Sequence, residues 1–113
     1  MDVPEILCNM EFIVIFITAS SADEGEKIAD SLVENHLVAC VNVVPSVKSI
    51  FFWEGKTDQQ SEVLLIAKSR KELLNQIIDH VKKIHSYSVP EIIAIPIIGG
   101  SEDYLKWVEE TTS

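Results

Sequence analysis

Basic residues are scarce in this chain. Nine lysines and arginines stand against 18 acids, for a net charge of −9, and Arg70 is the only arginine. A nucleic-acid binder neutralises phosphates with a basic patch, and no such patch is present, so nucleic acid is not an expected partner. The doublet Lys82-Lys83 reads as a solvated helix face. An acidic surface agrees with solubility and attracts cations without selecting one. Cysteine is scarce too. Cys8 and Cys40 cannot build a disulfide framework, which points to reduced thiols and a cytoplasmic setting. Four glycines and four prolines leave little room for disorder or long loops. Long hydrophobic runs are missing. Phe12–Ile17 is far too short to span a bilayer, and the Met1–Glu5 start lacks the basic and apolar regions of a signal peptide, so no membrane insertion is expected.

What is present is apolar. Hydrophobic residues make up 47% of the 113 positions, enough for one domain to form a core without cross-links. Residues 1–10 read as a loose tail that carries Cys8, and 11–110 as the folded core with a terminal helix. Residues 11–18 are a β-branched and aromatic run suited to a central strand. Ser21-Ala22-Asp23-Glu24 is a capping box. Behind it Ile28, Ala29, Leu32 and Val33 recur at helical spacing, with Glu26, Lys27, Asp30 and Glu34 elsewhere on the circumference. A helix is predicted at about 22–36.

Residues 39–44 read as a strand, interrupted or bent at Pro45-Ser46, and 47–56 continue it. Thr57–Ser61 reads as a polar turn, and 62–68 as the returning strand of a long antiparallel hairpin. Ser69–Glu72 reads as a second capping box ahead of a helix to about residue 85, ended by Val89-Pro90. Residues 91–98 read as a last strand, Gly99-Gly100 as a turn, and Ser101 as the cap of a short final helix. The order β-α-β-β-α-β plus a helix gives an α+β, ferredoxin-like sandwich with expected strand order 4-1-3-2. The strand carrying Pro96 then lies at an edge, where a missing amide hydrogen is tolerated.

Both helices cover one sheet face, which leaves the other face apolar and wet. The hairpin adds Ile50, Phe51, Phe52 and Trp53 in succession. Burying four such side chains supplies on the order of 6–12 kcal/mol before ordering losses, which points to a permanent interface between chains. The competing reading has the same residues completing the chain's own core.

Five segments in order resemble the CutA family of divalent-cation tolerance proteins. Leu37–Pro45 is similar to its LAACVN-x-x-P segment, and Ser49–Lys56 to its S-x-Y-x-W-x-G-K hairpin. Glu62–Ser69 is similar to E-V-x-L-x-x-K-T, His85–Ile92 to HPYEVPEI, and Tyr104–Trp107 to Y-L-x-W. The resemblance spans residues 11–110. It implies a homotrimer like that of the PII signalling proteins, packed through Ile50, Phe51, Phe52, Trp53, Tyr104 and Trp107. It also implies a link to divalent cations, chiefly copper, and to cation tolerance. Some members carry a first-strand cysteine and a His-His pair as copper ligands. Ile17 and Ile84-His85 stand there in this chain, so His85 alone of that set remains.

Two groups of candidate site residues follow. The metal-ligand candidates for weakly bound Cu(II) or another divalent cation are His85 and Cys40, the latter a soft donor. Against this, Cys40 reads equally as a buried inert thiol, and His85 as a helix-capping histidine. His36 and His80 read as surface residues on helices. The candidates for a cleft between subunits are Trp53, Glu62, Lys68, Tyr87 and Glu91. A Lys-Glu pair in an apolar cleft is the usual form of a small-ligand site, and equally of an ion pair that sets subunit register. The alternative to a metal-linked role is a PII-like sensor or scaffold that binds a small ligand or a partner protein in such clefts. An enzyme is not expected. Acylphosphatases share the fold class but need an arginine-bearing phosphate loop, and no Gly-rich loop or nucleophile-base pair is evident. RNA recognition on this topology needs a basic-aromatic sheet, which is also missing.

Overall fold

The computed structural model describes residues 11–113. The expected tail at 1–10, with Cys8, lies outside the described residues. β1 (Phe12–Ala19) leads into α1 (Ala22–Glu34). β2 (Cys40–Trp53) and β3 (Lys56–Arg70) form the hairpin. A 3-10 turn, Lys71–Leu73, enters α2 (Leu74–Ile84), and β4 (Ile92–Ile97) and α3 (Glu102–Thr111) complete the chain. The sheet order is β2-β3-β1-β4, all neighbours antiparallel, as the expected topology requires. β4, with Pro96 opposite Ile13, is an edge strand.

Alternation along the strands decides what is buried. Ile13, Ile15, Ile17 and Ala19 of β1 and Val63, Leu65 and Ala67 of β3 point to the helices. There they meet Ile28 and Leu32 of α1 and Ile77 and Val81 of α2. α1 packs closely enough that a Cβ on Gly25 would stand 3.0 Å from Val63 Cγ1. Among the described residues only α3 packs on the opposite face, and it closes one end through Val108, Phe12 and Ala39. Arg70 anchors that helix. Its Nε donates to Thr112 Oγ1 at 2.8 Å, its Nη2 donates to the Thr112 carbonyl at 2.6 Å, and Glu72 pairs with the guanidinium.

Four local expectations are corrected. The hairpin does not turn at Thr57–Ser61. It turns at Glu54-Gly55, whose φ angles of 50° and 82° are those of a type I′ turn, and 57–61 is paired strand. The interruption expected at Pro45-Ser46, by contrast, is found. β2 runs through it with a bulge between Val44 and Val47, which absorbs the proline's missing donor. Ser69 is no helix cap. It sits in β3, where its hydroxyl donates to the Leu37 carbonyl at 2.6 Å, and Ser101 makes no side-chain cap bond either. His36 lies past the end of α1 at φ 57°.

The first capping box is half as expected. Ser21 Oγ accepts from the Glu24 amide at 3.1 Å, but the Glu24 carboxylate turns to the Ser20 amide and hydroxyl, both at 2.9 Å.

Candidate functional site

The end of β1, the start of α1 and the end of α2 converge on a polar cluster. His85 closes α2 with its side chain wholly buried. Its Nε2–H donates to the Thr18 carbonyl at 2.7 Å, and its Nδ1 accepts the Tyr87 amide at 3.0 Å. Those partners place the ring proton on Nε2 and occupy both nitrogens. Glu24 Oε2 accepts the Ser86 amide at 2.7 Å and stands 4.0 Å from His85 Nδ1. Burial pushes the Glu24 carboxyl up, yet the hydrogen bonds from Ser20 and Ser86 outweigh it and hold the group down at about 2. The Tyr87 ring leans on His85 with centroids 4.8 Å apart. Its hydroxyl donates to buried Glu62 Oε2 at 2.9 Å, and burial with that carboxylate pushes the phenol up to about 12. The loop 85–88 is thereby fastened to β1, α1 and β3.

Of the cleft candidates, one chain brings together only Glu62 and Tyr87. The expected Lys68–Glu62 pair is not made within one chain; Lys68 Nζ donates to Asn42 Oδ1 across the β2–β3 ladder. Trp53 is 55% exposed at the hairpin tip, opposite Lys56. Twelve residues of β3 separate that level from Lys68, roughly 40 Å at the rise of a strand. Glu91 is exposed just before β4. A site holding Trp53 and Lys68 together therefore requires more than one chain.

The metal-ligand candidates are also apart. Cys40 pairs in register with Lys68, whereas His85 contacts Thr18, which pairs with Leu64. Four residues along β3 set these levels roughly 13 Å apart, well beyond a shared coordination sphere. His85 has no free nitrogen, and Cys40 Sγ is 3.3 Å from Tyr104 Oη. That hydrogen bond, with burial, pushes Tyr104 up to about 12. Among the described residues no group of three or more His, Cys, Asp or Glu side chains is arranged to hold a metal. A resident ion held by His85 with Cys40 does not fit one chain. His80, expected at the surface, is half-buried and bonds Ser31 Oγ at 2.7 Å between the two long helices, and His36 Nδ1 donates to the Thr111 carbonyl at 3.1 Å.

Sequence reasoning missed Glu24 as the hub of the cluster. Its place in a capping box was a signal for local bonding only, while its contact with Ser86 spans 62 residues. No helix among the described residues is long and apolar enough to cross a membrane.

The remaining apolar surface lies where an interface was expected. On the sheet face left bare by α3, Ile93 and Ile95 are 54% and 50% exposed beside Phe16 and Val14. Ile50 and Phe52 on one side of the hairpin are 67% and 72% exposed, and Phe51 and Trp53 occupy the other side. Tyr104 and Trp107, with ring centroids 5.6 Å apart, are exposed on α3. The hairpin draws the chain out to 51 × 25 × 23 Å.

Comparison with known proteins agrees along nearly the whole chain. A family described as CutA1 divalent ion tolerance protein matches residues 13–111. The chain is 47% identical over 100 residues to a chloroplastic CutA protein of Arabidopsis thaliana, an alignment covering 88% of this chain and 55% of that one. It is 47% identical over 97 residues to a divalent-cation tolerance protein CutA of Archaeoglobus fulgidus, covering 86% and 94%. The chain thus spans only about half the length of its plant relatives. The crystal structure of CutA1 from Oryza sativa superposes with a TM-score of 0.90 at 42% identity, covering 92% of this chain and 95% of that one. The structure of the periplasmic divalent cation tolerance protein CutA from Archaeoglobus fulgidus gives 0.88 at 44% identity, covering 90% and 99%.

Proposed function

The chain belongs to the CutA1 divalent ion tolerance family, and on that premise we propose that it works as a homotrimeric, non-enzymatic scaffold of the cation-tolerance type. The observation that carries this reading is the hairpin. Ile50 and Phe52 make one of its faces apolar, and Phe51 and Trp53 the other. A single flat neighbour covers one face only. A hairpin seated between two neighbours covers both, and three is the smallest closed ring that gives each chain two different neighbours. The bare face around Ile93 and Ile95 supplies a surface for such contacts. Clefts between chains then bring Trp53 of one chain toward the Glu62, Lys68, Tyr87 and Glu91 side chains of another.

Copper enters this reading as a weakly held ion. Cys40 is the only sulfur-bearing residue between 11 and 113, and so the soft donor. His85 keeps its two hydrogen bonds and serves the loop. The proposed setting is a reducing compartment such as the cytoplasm, which would keep the Cys40 thiol available as that donor. The test is assembly. The double variant Ile50→Ser/Phe52→Ser should lose the trimer, and an unchanged oligomer would reject the role given to the hairpin.

A further inference from the structure

α1 and α2 lie antiparallel on the helix layer, as the contacts Glu24–Ser86 and Ser31–His80 require. A serine inside a helix ordinarily bonds the carbonyl one turn back. Ser31 does not. Its hydroxyl crosses to α2 and stands 2.7 Å from His80 Nε2, joining residues 49 apart in the chain. With the proton of the neutral ring on Nδ1, Nε2 accepts from Ser31 Oγ–H, which is the arrangement of a nucleophile with its base. Both residues are half-buried, so a small reagent reaches the hydroxyl while water is partly held off. Lys27 stands one turn before Ser31, and Lys83 one turn after His80. Because the helices are antiparallel, the two lysines fall at one level beside the pair. Both are exposed, and among the described residues neither is in an ion pair. Ile84, 36% exposed in the same turn as Lys83, adds a small apolar surface. The bare sheet face and the hairpin lie across the core from this helix layer, so the interface proposed above leaves the pair open.

From this geometry we propose that Ser31 is an acyl-acceptor site, esterified once per chain by a small acyl phosphate with His80 as the base. Ser31 Oγ attacks the carbonyl carbon, and an oxygen–carbon bond forms. The bond from that carbon to the phosphate oxygen breaks. The Oγ proton passes to His80 Nε2 and from there to the departing group, which leaves as inorganic phosphate, so atoms and charge balance. The reagent class follows from the lysines. Two unpaired cations at one level attract a reagent whose leaving group is an anion. The ester formed is less reactive than the mixed anhydride consumed. Ser31 and His80 also sit inside helices, whose amides are spent on the helix ladder. No backbone oxyanion hole therefore assists a second attack by water. The acyl group stays, and the reaction is a modification rather than turnover.

The experiment incubates the full chain with acetyl phosphate and follows it by intact mass, with tandem mass spectrometry to locate the label. The expected result is one acetyl group on Ser31 and one equivalent of phosphate released per chain. Alkaline hydroxylamine should remove that label, because it cleaves an ester and spares the amides of acetylated lysine. His80→Gln keeps a hydrogen-bonding side chain against Ser31 and should slow the labelling at least about a hundredfold, as loss of a general base does. Lys27→Gln/Lys83→Gln should raise the acetyl phosphate concentration needed for half the maximal rate, and should leave the reaction with uncharged p-nitrophenyl acetate unchanged. Ser31→Cys, which keeps the contact with His80, should be acylated at position 31 in turn. Acetylation confined to lysine amides, an ester label that persists in Ser31→Ala, or labelling of His80→Gln at the wild-type rate would overturn the proposal. So would sustained phosphate release beyond one equivalent, or the absence of label from both the wild type and Ser31→Cys.

Discussion

Tyr87 Oη donates to Glu62 Oε2 at 2.9 Å, joining the loop after α2 to β3 where Glu62 faces Val47, just past the bulge in β2. The bond ties the polar cluster to the base of the hairpin. Tyr87→Phe leaves a buried carboxylate without this donor and should destabilise the protein by about 1–3 kcal/mol in a urea titration. The phenol also sets an alkaline limit. Folding raises it from 10.0 to about 12, so the neutral form is favoured in the folded state. Its stabilising contribution is complete below pH 10 and is lost as pH rises toward 12. Stability curves of wild type and Tyr87→Phe should therefore converge over that window, and a constant gap would contradict the assignment.

Glu24 sets the acid limit. Its carboxyl falls from 4.5 to about 2 on folding, so the charged form is favoured in the folded state. The contribution is present above pH 4.5 and is lost as pH falls toward 2. Glu24→Gln should be less stable than wild type at neutral pH, and the difference should shrink between pH 4.5 and 2. Denaturation midpoints at a series of pH values measure this directly.

The hairpin turn gives a prediction of opposite signs. Gly55 holds φ 82° with nothing within 4 Å of an added Cβ, so Gly55→Ala meets only backbone strain. The expected cost is about 1–2 kcal/mol. Glu54 holds φ 50° without being glycine, and Glu54→Asn, which suits the first position of a type I′ turn, should stabilise the hairpin. Thermal melts of the two variants should shift in opposite directions.

For copper, isothermal titration with Cu(II) separates the two candidate ligands. Cys40→Ser should weaken the binding by removing the soft donor. His85→Ala should leave the affinity near that of the wild type but lower the melting temperature, since it removes the bonds to Thr18 and Tyr87. Loss of copper binding in His85→Ala with unchanged stability would return His85 to a ligand role.

The topology was legible because it rests on periodicity. The continuous β-branched and aromatic run of β1 and the helical recurrence of Ile28 and Leu32 supply much of the core that forms. The turn was misplaced because polarity at Thr57–Ser61 outweighed the conformational demand met by Glu54-Gly55, and a protruding hairpin tolerates polar strand residues. Ser69 resembled a cap because Ser-x-x-Glu is a local pattern, whereas its actual partner, the Leu37 carbonyl, lies 32 residues away. The site was legible in its residue types and not in its pairings. Glu62 and Tyr87 were both named, but nothing in the sequence indicates that Lys68 faces Asn42 or that His85 spends both nitrogens on the backbone. Such contacts depend on strand register and on how the loop returns over β1.

The trimer is the centre of this account, and sedimentation equilibrium at micromolar concentration tests it most directly. The predicted result is a single species of three times the 12.6 kDa chain mass, stable on dilution. A monomer of 12.6 kDa, with Ile50, Phe52 and Trp53 left in water, would contradict it.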